Sequence, residues 1–198
     1  MGRWEPNAGG RLREAALELY VERGYEQVTV AEIAERAGVT ARTFFRYFAD
    51  KREVLFAGSE LLEQHLVSAL AAAPSSATPM QAVRQALDAA GEFLTDRAYS
   101  RKRQQVIAAT AELRERELIK LASLSAALAD GLRRRGVAGP EAGLAAEAGI
   151  AVFRVAFERW VDAAEDRSLS AVLGESFDQL AALTAVRRGR TRRLSSAP

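Results

Sequence analysis

Residues 29–53, TVAEIAERAGVTARTFFRYFADKRE, restrict this chain more than any other stretch. Thr29 and Glu32 have capping-box spacing: the hydroxyl accepts from a backbone N–H one turn in, and the carboxylate reaches back to the N-cap N–H. A helix is therefore expected to start at about Val30. Ile33, Ala34 and Ala37 give it an apolar side, and Gly38 ends it, because glycine enters the left-handed region without a Cβ clash. Thr40 is placed to cap a second helix over residues 41–48. At about 100° per residue, Phe44 and Phe48 share a face with Ala41, while Arg42 and Arg46 lie opposite. Thr43 and Phe45 flank those faces, and Tyr47 sits near the buried side with its phenolic tip free to reach out. Asp50 is expected to cap a third helix with Glu53 three residues on. Lys51 then falls in a first turn, where a cation opposes the helix dipole unless an external anion sits there.

Helix, glycine-containing turn, then a helix with an outward basic face is the helix-turn-helix arrangement that seats a recognition helix in the DNA major groove. Residues 12–56 resemble the DNA-binding domain of the TetR family of bacterial transcriptional repressors. The resemblance rests on Tyr20-Val21-Glu22-Arg23-Gly24-Tyr25, on residues 29–39, and on Thr43-Phe44-Phe45-Arg46-Tyr47-Phe48 followed by Lys51. It covers roughly a quarter of the chain. It implies phosphate contacts from Thr29, Thr40, Thr43, Tyr47 and Lys51, and base readout by Arg42 with Ala41 beside it and Arg46 on the same outward face. Phe45 stands at a phosphate-contacting position where the family usually has tyrosine. Without a hydroxyl it loses that hydrogen bond, but its ring can pack on sugar or a thymine methyl.

Composition bears on what else the chain can do. There is no cysteine and one histidine, His65, so thiolate metal sites, cysteine nucleophiles and multi-histidine sites are out of reach. No G-x-S-x-G elbow, Gly-rich phosphate loop or paired metal-ligand spacing is present, so neither an enzyme nor a cofactor or metal is expected. His65, among Leu61, Leu62, Leu66 and Leu70, reads as a structural histidine. No apolar run approaches the length of a membrane span and the N-terminus lacks an apolar signal region, so a cytoplasmic protein without membrane contact is expected. Residues 1–57 carry 9 basic and 9 acidic side chains, residues 58–186 carry 14 and 17, and residues 187–198 carry 5 arginines and no acid. The tail alone makes the chain basic. Locally, residues 36–52 hold five cations and one acid, Asp50, which is the charge that bears on DNA. The 25 arginines against 3 lysines and the abundant alanine read as codon bias of a GC-rich bacterial genome.

An all-α fold of about nine helices is expected, in four parts: a mobile leader over 1–9, a DNA-binding domain over 10–57, a ligand-binding and dimerisation bundle over 58–186, and a disordered basic tail over 187–198. One long helix over 51–73 is read as the lever joining the two domains. Pro74-Ser75-Ser76-Ala77-Thr78-Pro79 is the clearest loop, with Thr78 capping the next helix and Pro79 at its first position. Arg101-Lys102-Arg103 reads as a solvated face. Leu118, Leu121, Leu128 and Leu132 form the stripe of a helix over 112–135. The helix opened by Gly139-Pro140 is apolar nearly all round, which marks burial on two sides.

In the family the last two helices pair with their copies as a four-helix bundle. That implies a twofold dimer through Ile150, Val152 and Val155 of one helix and Val172, Phe177 and Leu180 of the other. Phe93, Tyr99, Gln104, Phe153, Phe157 and Trp160 are the candidate walls of a ligand pocket. The resulting expectation is a ligand-responsive repressor that binds a pseudo-palindromic operator as a homodimer and is released by a small apolar or amphipathic effector. The competing reading is a helical protein-interaction module or a weakly specific DNA binder without an effector. Binding to one palindromic segment in the presence of random competitor separates the two.

Overall fold

The computed structural model describes residues 7–164 and 167–185. The expected basic tail and most of the expected leader lie outside them. Among the described residues the chain is all-α: α1 (Ala8–Arg23), α2 (Val30–Arg36), α3 (Ala41–Tyr47), α4 (Ser59–Ala71), α5 (Pro79–Phe93), α6 (Arg97–Ala109), α7 (Ala111–Arg134), α8 (Gly139–Asp162) and α9 (Leu169–Thr184). Short 3-10 turns occupy Tyr25–Gln27 and Glu53–Phe56. Helix α1 begins two residues before the expected start, because the Asn7 side chain accepts from the Gly10 N–H.

Local capping forms as its chemistry dictates. Thr29 and Glu32 make both halves of a capping box at α2, and Thr78 and Gln81 do so at α5 with Pro79 in the first turn. Thr40, Asp96 and Ser168 cap α3, α6 and α9. One expected element is absent: residues 51–73 do not form a single helix. The Asp50 carboxylate accepts from the Arg52 and Glu53 N–H groups and so caps only the 3-10 turn. The chain then breaks at Gly58, whose φ of 89° is open to glycine at little cost. The connector between the two parts is therefore a jointed segment, 3-10 turn then α4.

Two apolar clusters result. The first holds Leu12, Ala16, Leu19 and Tyr20 of α1, Ile33 and Ala34 of α2, Phe44 of α3 and residues 54–56; Val106 and Ile107 of α6 and Leu113 of α7 complete it. The three-helix module thus borrows a wall from the body, as a module of about this size needs in order to bury enough surface. The second cluster lies among α4, α5, α7, α8 and α9, with Leu66, Leu87, Leu128, Leu132, Phe153 and Leu173 at its centre. Ile150, Val152, Val172 and Phe177, expected at a dimer interface, are buried in this core of the single chain. The near-continuous apolar circumference of α8 is used on α5 and α7 as well as α9. Leu118 departs from its expected place in the α7 stripe and is exposed. His65 also lies at the surface, its Nδ1 2.8 Å from the Leu61 carbonyl and its ring against Phe93.

Candidate nucleic-acid interface and effector cavity

Helix α3 is anchored by Phe44, fully buried, with Phe48 against it at 5.6 Å between centroids. Ala41, Arg42, Phe45 and Arg46 form its exposed strip. Ala41 lies on this outer strip and not on the anchoring face, because the buried arc is narrow enough to be filled by the two phenylalanines. Tyr47 is exposed too, with its ring close to Gly9 and under the Arg46 guanidinium, 5.2 Å from the ring centroid.

The five cations of residues 36–52 separate sharply. Arg36 is held by Glu22 at 3.0 Å and Glu18 at 3.3 Å on α1. Arg52 pairs with Asp50 at 2.6 Å and with Glu112 at 3.2 Å. Lys51 does not offer its ammonium to an outside anion: Nζ donates to the Tyr25 carbonyl at 2.9 Å and the Val28 carbonyl at 3.0 Å, and lies 4.2 Å from the Tyr25 ring centroid. The Tyr20 hydroxyl closes this knot by donating to the Lys51 carbonyl at 2.7 Å. Lys51 is therefore an internal tie between the start of α2 and the connector, which answers the dipole problem posed by its first-turn position. Arg42 and Arg46 alone of the five have no acidic partner among the described residues.

The threonines divide similarly. Thr29 donates its hydroxyl to Glu32 at 2.8 Å. Glu32 also accepts from Arg23 at 2.7 Å and from the Thr29 N–H at 2.8 Å. These bonds, Arg23 first, pull its carboxyl down to about 2. Thr40 accepts from the Thr43 N–H at 3.2 Å, and the two hydroxyls lie 3.1 Å apart, so one of their protons stays free for an outside acceptor.

A cavity of about 870 Å³ opens in the body. Its walls are Leu62 of α4, Phe93 at the end of α5, Tyr99, Ser100, Arg103 and Gln104 of α6, Leu118, Leu121 and Leu124 of α7, and Phe153 and Phe157 of α8. Residues 55–59 of the connector form part of the same wall. Phe153 and Phe157 stack at 5.9 Å. Five of the six expected pocket residues thus come together. Trp160 does not: it is buried in the core with Nε1 donating to the Arg167 carbonyl at 2.9 Å.

Arg103 was hidden from sequence reasoning inside a basic run that reads as solvated. Its side chain is only 19% exposed. Nε donates to the Leu55 carbonyl at 2.6 Å, Nη1 lies 3.6 Å from Glu117, and the guanidinium covers the Phe56 ring at 5.1 Å. Burial pushes its pKa below the usual arginine range. Arg101 is tied down as well, to the Val161 and Ala163 carbonyls. Gln104 donates Nε2 to Glu117 at 3.4 Å. A carboxylate only accepts, so this fixes the amide orientation and leaves Oε1 buried without a partner.

A compact helical module offering two uncompensated arginines on a short exposed helix, jointed to a bundle with a cavity at the joint, defines a helix-turn-helix transcriptional regulator. The chain belongs to the TetR family of bacterial regulatory proteins: the family's own model matches residues 12–57, and that of the MftR C-terminal domain matches residues 77–185.

Among its relatives is TcmR of Streptomyces glaucescens, a transcriptional regulator 40% identical over 79 residues, which are 40% of this chain and 35% of that protein. MftR of Mycobacterium tuberculosis, named as a regulator of mycofactocin biosynthesis, is 29% identical over 188 residues, 92% of this chain and 93% of its own length. Among solved structures, the SmeT–triclosan complex superposes with a TM-score of 0.61 at 21% identity, covering 89% of this chain and 90% of that one; SmeT is the repressor of a Stenotrophomonas maltophilia efflux pump. At that identity the superposition bears on the fold. No helix among the described residues is long and apolar enough to cross a membrane.

Proposed function

We propose that this regulator is a cytoplasmic homodimeric repressor, released from a pseudo-palindromic operator by a small apolar or amphipathic molecule bound in the α4–α8 cavity. The observation that carries the reading is the shared wall: residues 55–59 line the cavity and also join α4 to the DNA module. A molecule there bears on the connector through Arg103, which touches the cavity and holds the Leu55 carbonyl. It acts only to the extent that it binds the DNA-bound and released arrangements with different affinity. Arg42, with Ala41 and Arg46, supplies base readout, while Thr40, Thr43 and Tyr47 meet phosphates. Lys51 and Phe45 leave the phosphate set, the first because its donors are used internally and the second because it has none.

Dimerisation in this reading uses apolar positions of α8 and α9 left outside the core: Leu144, Val155 and Leu183, all exposed, with half-buried Leu180 beside them. The interaction-module reading is not favoured, since it gives no reason for two exposed arginines without partners on α3. The relatives carry regulator names, and no catalytic role is assigned. The test is a mobility shift on DNA upstream of the chain's own and neighbouring genes at fixed salt with random competitor. Retained binding to one palindromic segment supports the proposal; binding abolished by random DNA overturns it.

A further inference from the structure

Phe45 is the one phenylalanine among the described residues that is exposed, at 58%. Its ring stands edge-on to Phe44, 5.5 Å between centroids at 81°, and Phe44 is fully buried. The exposed ring is therefore held in one orientation by the module's core. On the helix surface it sits about 40° from Ala41 and about 60° from Arg42, with Arg46 on its other side. Ala41 has no bulk to screen it. The two guanidiniums beside it lack acidic partners among the described residues and draw this strip onto a phosphate backbone. The ring carries neither donor nor acceptor, so it gains nothing from a phosphate oxygen or from a polar base edge. In the major groove only thymine adds a methyl group to its pattern; cytosine presents an amino donor at the neighbouring atom.

We propose that Phe45 selects thymine at one position of each operator half-site by packing on the 5-methyl group. This rests on the regulator reading of α3. It also separates Phe45 from the role of the tyrosine usual at this position, which has a hydroxyl to give to a phosphate. Burying a methyl-sized group corresponds to about fourfold in affinity, hence about fifteenfold for a two-half-site operator.

The test is selection of bound duplexes from a randomised pool by the full-length protein at fixed salt, followed by affinity measurements on the selected site with deoxyuridine replacing each thymine in turn. Removing one methyl per half-site is expected to weaken binding about fifteenfold at a single symmetric pair of positions and little elsewhere. Phe45→Ala is expected to bind the thymine and deoxyuridine sites equally while keeping the preferences that Arg42 sets. Equal affinity of the wild type for thymine and deoxyuridine at every position overturns the proposal, as does a Phe45→Ala protein that still prefers thymine. If Phe45→Ala fails to fold, judged by its helical circular dichroism, the wild-type deoxyuridine series decides alone. A pool that yields no enriched site removes the regulator reading itself, an outcome distinct from a site without methyl dependence.

Discussion

Arg103→Met isolates the tie between cavity and connector. Methionine keeps an unbranched apolar stem against Phe56 and deletes the guanidinium. The Leu55 carbonyl loses a charged donor at 2.6 Å, a bond type contributing about 1.5–3 kcal/mol. Contact with the Phe56 ring at 5.1 Å is lost as well, for about 0.5–1 kcal/mol. The Glu117 pair, at 3.6 Å and partly exposed, adds about 0–1 kcal/mol. Against these stands relief from holding a charge in a site that disfavours it, the same burial that depresses the Arg103 pKa. The net expectation is a loss of about 2–3 kcal/mol. For a chain of this length that lowers the melting temperature by roughly 4–12 °C. Urea denaturation followed by circular dichroism measures it, with Arg103→Lys recovering part of the loss because the charge returns without the planar fork. A midpoint for Arg103→Met within about 0.5 kcal/mol of wild type would show that Arg103 is solvated and that the connector is not held from the cavity side.

Lys51→Met is expected to destabilise the protein by about 1.5–3 kcal/mol through the Tyr25 and Val28 carbonyls. Arg42→Ala should leave thermal stability unchanged and cut the preference for operator over random DNA, by about 1–3 kcal/mol per lost base contact; equal effects of both variants on stability would refute the division. At Gly91 a Cβ would lie 2.2 Å from Ser170 Oγ and 2.9 Å from its backbone nitrogen, whereas at Gly131 the obstacle is the tip of Leu70, 2.5 Å away. Gly91→Ala should therefore cost about 1–3 kcal/mol and Gly131→Ala distinctly less, since a leucine methyl yields and backbone does not; the reverse order in denaturant titrations would contradict the packing.

Glu32 supplies a pH test. Its carboxyl is lowered from 4.5 to about 2, by Arg23 first and Thr29 second. Its contribution is therefore complete above about 4.5 and disappears as pH falls toward 2. Carboxyl NMR should find Glu32 titrating near the lower value, with Arg23→Gln moving it up; titration at the ordinary value in the wild type would exclude the capping geometry.

The features that were legible in the sequence are those whose partners lie within one helical turn. Capping boxes at Thr29 and Thr78 and the cap at Thr40 need only i to i+3 chemistry. The anchoring of α3 by Phe44 follows from a 3.6-residue period. Fold class and the DNA module emerge from such local signals because each is nearly independent of what the rest of the chain does. Site residues on α3 were legible in part for the same reason, whereas the cavity walls were foreseen only as a set of aromatics.

By itself the sequence determined the helices, their caps and the exposed strip Ala41, Arg42, Phe45 and Arg46. Tertiary structure alone decided which charges remain available. Lys51 finds its acceptors 23 and 26 residues away, and Arg103 reaches a carbonyl 48 residues away. Ile150, Val152, Val172 and Phe177 look the same in sequence whether buried by their own chain or by a second copy, because apolar periodicity states that a face is covered and not what covers it. The charged side chains follow a parallel rule: periodicity puts them on a face, but only the folded neighbours decide between water, an internal carbonyl and DNA.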